Sequence, residues 1–196
     1  MNKNSLKNRY EDSYTTVLVP ADNAKGYKTK SIYYAPWYVW KVPGGDLQRE
    51  KVFLSVVSLA GFLVCIALSS RDYPINSNKW IFLPNAISLC CHILEAVAIG
   101  QFDFSKSRTT KMTYDEITRR LSLFPLLRSI AALIAAFMGG VFLMIQRSHE
   151  MAEWMVVLCL AFWSATGWWV YKRYAKIEVT TQANDSLQEY EKRMEM

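Results

Sequence analysis

Four uninterrupted apolar runs divide the chain, at about 52–70, 80–102, 121–146 and 154–171, with polar and charged blocks between them. A helix needs about 20 consecutive apolar residues to cross a hydrocarbon core, so each run predicts one transmembrane helix. The first and fourth runs hold no charged residue, the second holds Glu95 and the third Arg128. If the runs were core helices of a water-soluble protein, too little polar chain would be left to cover them. The expected fold class is therefore all-α, an integral membrane four-helix bundle. Its expected organisation is a cytoplasmic N-terminal segment at 1–45, a bundle at 46–172 and a cytoplasmic tail at 173–196.

Shorter elements flank these runs. Residues 31–40 read Ser-Ile-Tyr-Tyr-Ala-Pro-Trp-Tyr-Val-Trp. The strip is too short to span and is rich in Trp and Tyr, which suits a segment lying at the cytoplasmic interface. The same residues, Trp37, Tyr38 and Trp40 above all, would also serve as docking anchors for a partner protein. Pro43-Gly44-Gly45 breaks the chain, and Asp46 then suits an N-cap for the helix leading into the first span. Thr113-Tyr-Asp-Glu116 has the form of a capping box, with Ile117, Leu121 and Phe124 following at helical spacing. Pro125 predicts a kink shortly after. The polar, mixed-charge stretch from Thr180 to Met196 predicts a helix or a disordered tail.

Charge sets the expected orientation. The formal net charge is +6, and the basic residues cluster in alternate segments. Lys3, Lys7, Arg9, Lys25, Lys28, Lys30, Lys41, Arg49 and Lys51 precede the first span. Lys106, Arg108, Lys111, Arg119 and Arg120 lie between the second and third, and Lys172, Arg173 and Lys176 follow the fourth. The two remaining loops, 71–79 and 147–153, carry only Arg71, Lys79 and Arg147. The positive-inside rule therefore places both termini and the middle loop in the cytoplasm. The same distribution accounts for the basic balance without nucleic acid. Trp80 and Trp154 open their spans on the outer side, and Trp168, Trp169, Tyr171 and Tyr174 mark the inner side, as aromatic belts do. The N-terminus has no apolar leader, so no cleavable signal peptide is expected and the first span directs insertion. Short outer loops favour a bacterial inner membrane. Asn184-Asp-Ser186 has the form of a glycosylation acceptor but falls on the cytoplasmic side.

Candidate chemistry is sparse. Charged residues inside a span are costly and mark function by default. Glu95 and Arg128 each lie about seven residues, or roughly 10 Å, from the cytoplasmic end of their spans. An ion pair between the two spans follows from that matching depth. It would act as a structural clamp, or line a path for an ion or small polar solute. His92 lies one turn before Glu95 on the same face, and Asn85, Ser88 and His92 form a polar stripe ending there. His149 lies in an outer loop, so no second axial ligand for a haem stands at the depth of His92. The four cysteines, Cys65, Cys90, Cys91 and Cys159, all lie in apolar runs without a C-x-x-C pair and are expected to pack as small hydrophobes. No metal or cofactor is expected. Ala131, Ala135, Gly139 and Ala132, Ala136, Gly140 form two adjacent small-residue ladders. These allow close helix approach within the bundle or against a second subunit.

No nucleotide-binding or hydrolase signature is present. The reading is a non-enzymatic multi-pass membrane protein acting as a subunit or scaffold of a membrane assembly. Its expected partners are the lipid bilayer and either another membrane protein or a second copy. The competing reading is an oligomeric transporter or channel with Glu95, His92 and Arg128 lining the path, and a membrane enzyme stands third.

Overall fold

A computed structural model describes residues 10, 12–20, 26–42, 45–69, 74–186 and 192. Pro43 and Gly44 of the expected chain break lie outside the described residues, as do Lys3, Lys7, Arg9, Lys25 and Arg71. The protein is mostly helical. In chain order the elements are β1 (Tyr14–Pro20), β2 (Tyr27–Tyr33), β3 (Trp37–Lys41), α1 (Leu47–Ser69) and the single turn α2 (Pro74–Ser77). They continue with α3 (Lys79–Phe104), β4 (Arg108–Thr109), α4 (Lys111–Gln146), α5 (Met151–Tyr174) and β5 (Glu178–Gln182). Two compact units result, one from 42–105 and 117–178, the other from 1–41, 106–116 and 179–196.

In the helical unit, α1, α3, α4 and α5 are long and apolar enough to cross a membrane, and each contains one of the four runs. Asp46 caps α1 as expected, its Oδ1 accepting from the Gln48 amide at 2.9 Å. Asn78 does the same for α3, accepting from the Trp80 amide at 3.0 Å. The third helix begins earlier than the Thr113 pattern predicts. Thr110 stands at its start, accepting from the Tyr114 amide through its carbonyl at 3.0 Å and from the Thr113 amide through its hydroxyl at 3.5 Å. Thr113 is therefore already inside α4. The helix continues through Pro125 to Gln146.

The unit buries a set of polar side chains and exposes apolar ones. Buried side chains include Ser58, Ser88, His92, Glu95, Arg128, Ser129, Ser164 and Thr166. Its outer surface is made of residues such as Val52, Val56, Leu59, Leu63 and Ile66, which repeat every three or four positions along one face of α1. One end of the bundle holds an apolar core in which Cys65, Ile75, Ile81, Leu143, Val156 and Leu160 pack around Ala132, Ala135, Ala136 and Trp163. The ladders are thus consumed inside the bundle. Ala131, Ala132, Ala135, Ala136 and Gly139 are buried and Gly140 is half-buried. A Cβ on Gly139 would stand 3.1 Å from Ile75 Cδ1 and 3.2 Å from Val157 Cγ2.

The second unit is a small β structure. Strands β1 and β2 pair antiparallel with Tyr14 opposite Tyr33 and Pro20 opposite Tyr27. Gly26 precedes β2 with φ of 71°, a left-handed conformation that glycine adopts without steric cost. A separate three-stranded sheet has the order β4-β3-β5. Residues 31–40 are therefore extended and largely paired backbone. Trp40 is buried, and Tyr38 stacks on Tyr114 with ring centroids 4.7 Å apart. The expectation of a helical or disordered tail fails at its start. Glu178-Val-Thr-Thr-Gln182 is a strand, and its β-branched residues suit a pleated backbone. Asn184 follows it, its amide donating to the carbonyls of Tyr33 at 2.8 Å and Ala35 at 3.0 Å. Burial pushes the Tyr33 phenol above its ordinary ionisation range, and its hydroxyl donates to the Pro36 carbonyl at 2.7 Å.

Candidate functional site

Glu95 and Arg128 meet inside the helical unit as a bidentate ion pair, with Nε donating to Oε2 at 2.7 Å and Nη2 to Oε1 at 3.0 Å. Both side chains are fully buried. Two charges withdrawn from water are held only where geometry is good and the remaining polar atoms are satisfied. Here the neighbours come from all four long helices. Helix α1 supplies Ser58, whose hydroxyl donates to Glu95 Oε1 at 2.9 Å. Helix α3 supplies His92 as well as Glu95, and α4 supplies Arg128. Helix α5 supplies Trp163 and Thr166: Arg128 Nη1 donates to Thr166 Oγ1 at 3.2 Å and approaches the Trp163 carbonyl at 3.4 Å.

His92 closes the network. Trp163 Nε1 donates to its Nδ1 at 2.8 Å, and Arg128 Nη1 lies 3.2 Å from the same atom. Indole and guanidinium nitrogens only donate, so Nδ1 carries no proton and His92 is the neutral Nε2–H tautomer. Nε2 then donates to Ser58 Oγ, 3.2 Å away, while Ser58 passes its own hydrogen to Glu95. The chain His92–Ser58–Glu95 therefore has one direction, set by Trp163 and Arg128.

Two glycines make room for the guanidinium. A Cβ on Gly61 of α1 would stand 2.6 Å from Thr166 Oγ1 and 3.2 Å from Arg128 Nη1. A Cβ on Gly167 of α5 would stand 2.9 Å from the Pro125 carbonyl oxygen and 3.2 Å from Arg128 Nε. Ser88 Oγ donates to the Arg128 carbonyl at 3.1 Å, and Ser164 Oγ donates to the Ser129 carbonyl at 2.8 Å. Arg128 is thus held at its head by α3 and α5, while the two serines bond the adjoining carbonyls of Arg128 and Ser129.

Of the residues expected at the site, Glu95, Arg128 and His92 come together. Asn85 does not join them, and its buried amide oxygen has no hydrogen-bond partner among the described residues. Ser58, Gly61, Trp163, Thr166 and Gly167 complete the site without having been singled out in the sequence. Trp37, Tyr38 and Trp40 belong to the β unit, where Trp37 packs on Tyr33 and beneath Arg108.

A second set of contacts ties one end of the helical unit. Glu50 of α1 and Arg173 of α5 form two hydrogen bonds of 2.7 Å. Lys51 Nζ donates to the main-chain oxygens of Asp103 at 3.2 Å and Ser105 at 2.5 Å, covering carbonyls that the end of α3 leaves without intrahelical partners. At the opposite end Ser148 Oγ donates to the buried Glu153 at 2.5 Å. Among the described residues no group of three His, Cys, Asp or Glu side chains is placed to hold a metal ion, and all four cysteines are free thiols. No protein-family model, curated protein or solved structure matches the chain.

Proposed function

We propose that this protein is a non-enzymatic, multi-pass membrane protein that serves as a subunit or scaffold of a membrane assembly, with both termini in the cytoplasm. The observation that carries the reading is the saturation of the Glu95–Arg128–His92 centre. Each guanidinium nitrogen, each carboxylate oxygen and each ring nitrogen has a partner within the bundle. A conduction path needs groups that exchange partners with the passing ion, whereas this centre joins four helices to one another. Membrane insertion is supported by the inverted polarity of the bundle, with charges and hydroxyls inside and aliphatic side chains outside.

Orientation has a second support besides charge. Strands from the N-terminal segment, from the connection between α3 and α4 and from the tail join in one sheet. One sheet cannot straddle a bilayer, so these three segments share a side, and their lysines and arginines favour the cytoplasm.

The test is gentle extraction of the full chain from its native membrane, with identification of everything that co-purifies. A stoichiometric membrane-protein partner is the expected result. A protein that emerges alone and supports ion or solute flux in liposomes would overturn the scaffold reading.

A further inference from the structure

Helices α1 and α3 enclose a lateral groove of about 540 Å³. Its walls are apolar, formed by Leu59 and Phe62 of α1 and by Ile93 and Val97 of α3, and Leu59, Ile93 and Val97 are exposed along its mouth. Its polar lining lies at two levels. Ser58 lies beside His92 and Ser55 beside Asp103, the two serines one turn apart on α1. His92 and Asp103 are separated by about 16 Å of helix. Gly100 keeps the passage beside Asp103 open, since a Cβ there would meet no atom within 4 Å.

Asp103 stands one residue before the end of α3, at headgroup level if α3 spans the bilayer. Ser55 Oγ donates to its Oδ2. Its Oδ1 is buried and has no hydrogen-bond partner among the described residues. Lys51 stands near but donates to the Asp103 and Ser105 main-chain oxygens and lies within 3.4 Å of Ser105 Oγ, so it does not satisfy that carboxylate oxygen. A buried acceptor without a donor costs on the order of 1–3 kcal/mol, and here it adjoins an apolar groove.

We propose that this groove binds one phospholipid whose headgroup carries a primary ammonium, its N–H donating to Asp103 Oδ1 and one acyl chain lying along Leu59, Phe62, Ile93 and Val97. The inference rests on the membrane-spanning reading of the bundle. A primary ammonium supplies the donor that Asp103 Oδ1 lacks, beside the Lys51 ammonium that already acts on Asp103 electrostatically. A choline headgroup has the charge but no donor, and a glycerol headgroup has donors but brings net negative charge to a carboxylate. Phosphatidylethanolamine meets both requirements.

The full chain is reconstituted in vesicles holding equal parts of phosphatidylethanolamine, phosphatidylcholine and phosphatidylglycerol with matched acyl chains. It is then extracted in mild detergent, and retained lipid is counted by native mass spectrometry. The expected result is one phosphatidylethanolamine per chain, retained about tenfold over either competitor, a difference of about 1.4 kcal/mol. Gly100→Leu, which fills the open space, and Asp103→Ala should both reduce it to the phosphatidylcholine level, with unchanged helix content by circular dichroism. Headgroup-blind retention, no retention, or retention untouched by either substitution would overturn the proposal alone. Failure of the protein to float with the vesicles would overturn the membrane reading as well.

Discussion

Trp163 Nε1 lies 2.8 Å from His92 Nδ1, and together with Arg128 on the same atom this contact fixes the proton arrangement of the buried centre. With Arg128 also donating to Nδ1, the imidazole has only its Nε2 face from which to donate, and that face is turned to Ser58 and through it to Glu95. Ring ¹⁵N chemical shifts of the labelled protein at neutral pH should therefore report a neutral Nε2–H imidazole for His92. Trp163→Phe should destabilise the protein by about 1 kcal/mol through the lost hydrogen bond, with the tautomer retained by the Arg128 contact. An Nδ1–H or doubly protonated ring would contradict the assignment.

The ion pair makes a second prediction. Removing one partner leaves the other charge buried and uncompensated, which costs about 3–5 kcal/mol, whereas removing both together is far milder. Arg128→Leu alone should therefore unfold at a much lower denaturant concentration than the wild type. Glu95→Gln with Arg128→Leu should recover most of that loss, as chemical unfolding of the purified protein would register. Equal destabilisation by the single and double changes would mean that the pair is not coupled.

The three helical glycines near the site separate cleanly. Gly167→Ala drives a Cβ onto the Pro125 carbonyl, and Gly61→Ala drives one onto a hydrogen-bonded threonine hydroxyl. Each should lower the melting temperature and disturb Arg128, at a cost of about 1–3 kcal/mol. Gly100→Ala meets open space and lies in a helix interior, so it should raise stability by about 0.5–1 kcal/mol.

Topology can be read by labelling. In a cysteine-free background, single cysteines replacing Ser31, Ser107 and Thr181 should all react with a membrane-impermeant maleimide from the cytoplasmic face of the membrane only. One replacing Ser148 should react from the opposite face only. Opposite-face reactivity for any two of the first three would break the sheet β4-β3-β5 or its hairpin neighbour from the shared side assigned to them.

The helices and the central pair were legible because each depends on signals carried by single residue types. About 20 apolar residues in a row have few fates, and a lone acid and a lone base at equal depth on consecutive spans have an obvious partner in each other. The rest of the site was not legible because it depends on helix rotation. Ser58, Thr166 and Trp163 look ordinary in an apolar helix, and Gly61 and Gly167 become significant only once α1 and α5 are seen to pass on either side of one guanidinium. The small-residue ladders showed that a close contact would form, but not that its partner would be the chain's own core at Ile75 and Val157. The β unit went unread for a different reason. Tyr14–Pro20 and Glu178–Gln182 are short, rich in Val and Thr, and lie far apart in the chain. Beside the aromatic strip at Trp37, Tyr38 and Trp40 they attract attention as charged flanks and interface anchors rather than as strands. Thr113 misled for a local reason, since Thr110 three residues earlier offers the same hydroxyl.

The central claim is that Glu95, His92 and Arg128 hold four helices together and carry nothing across the membrane. The most direct measurement is proton and ion flux in liposomes containing the wild-type protein or the Glu95→Gln, Arg128→Leu double variant, each confirmed folded and inserted. The account predicts no flux above protein-free vesicles for either, and the same co-purifying partners for both. Flux through the wild type that disappears in a folded double variant would contradict it.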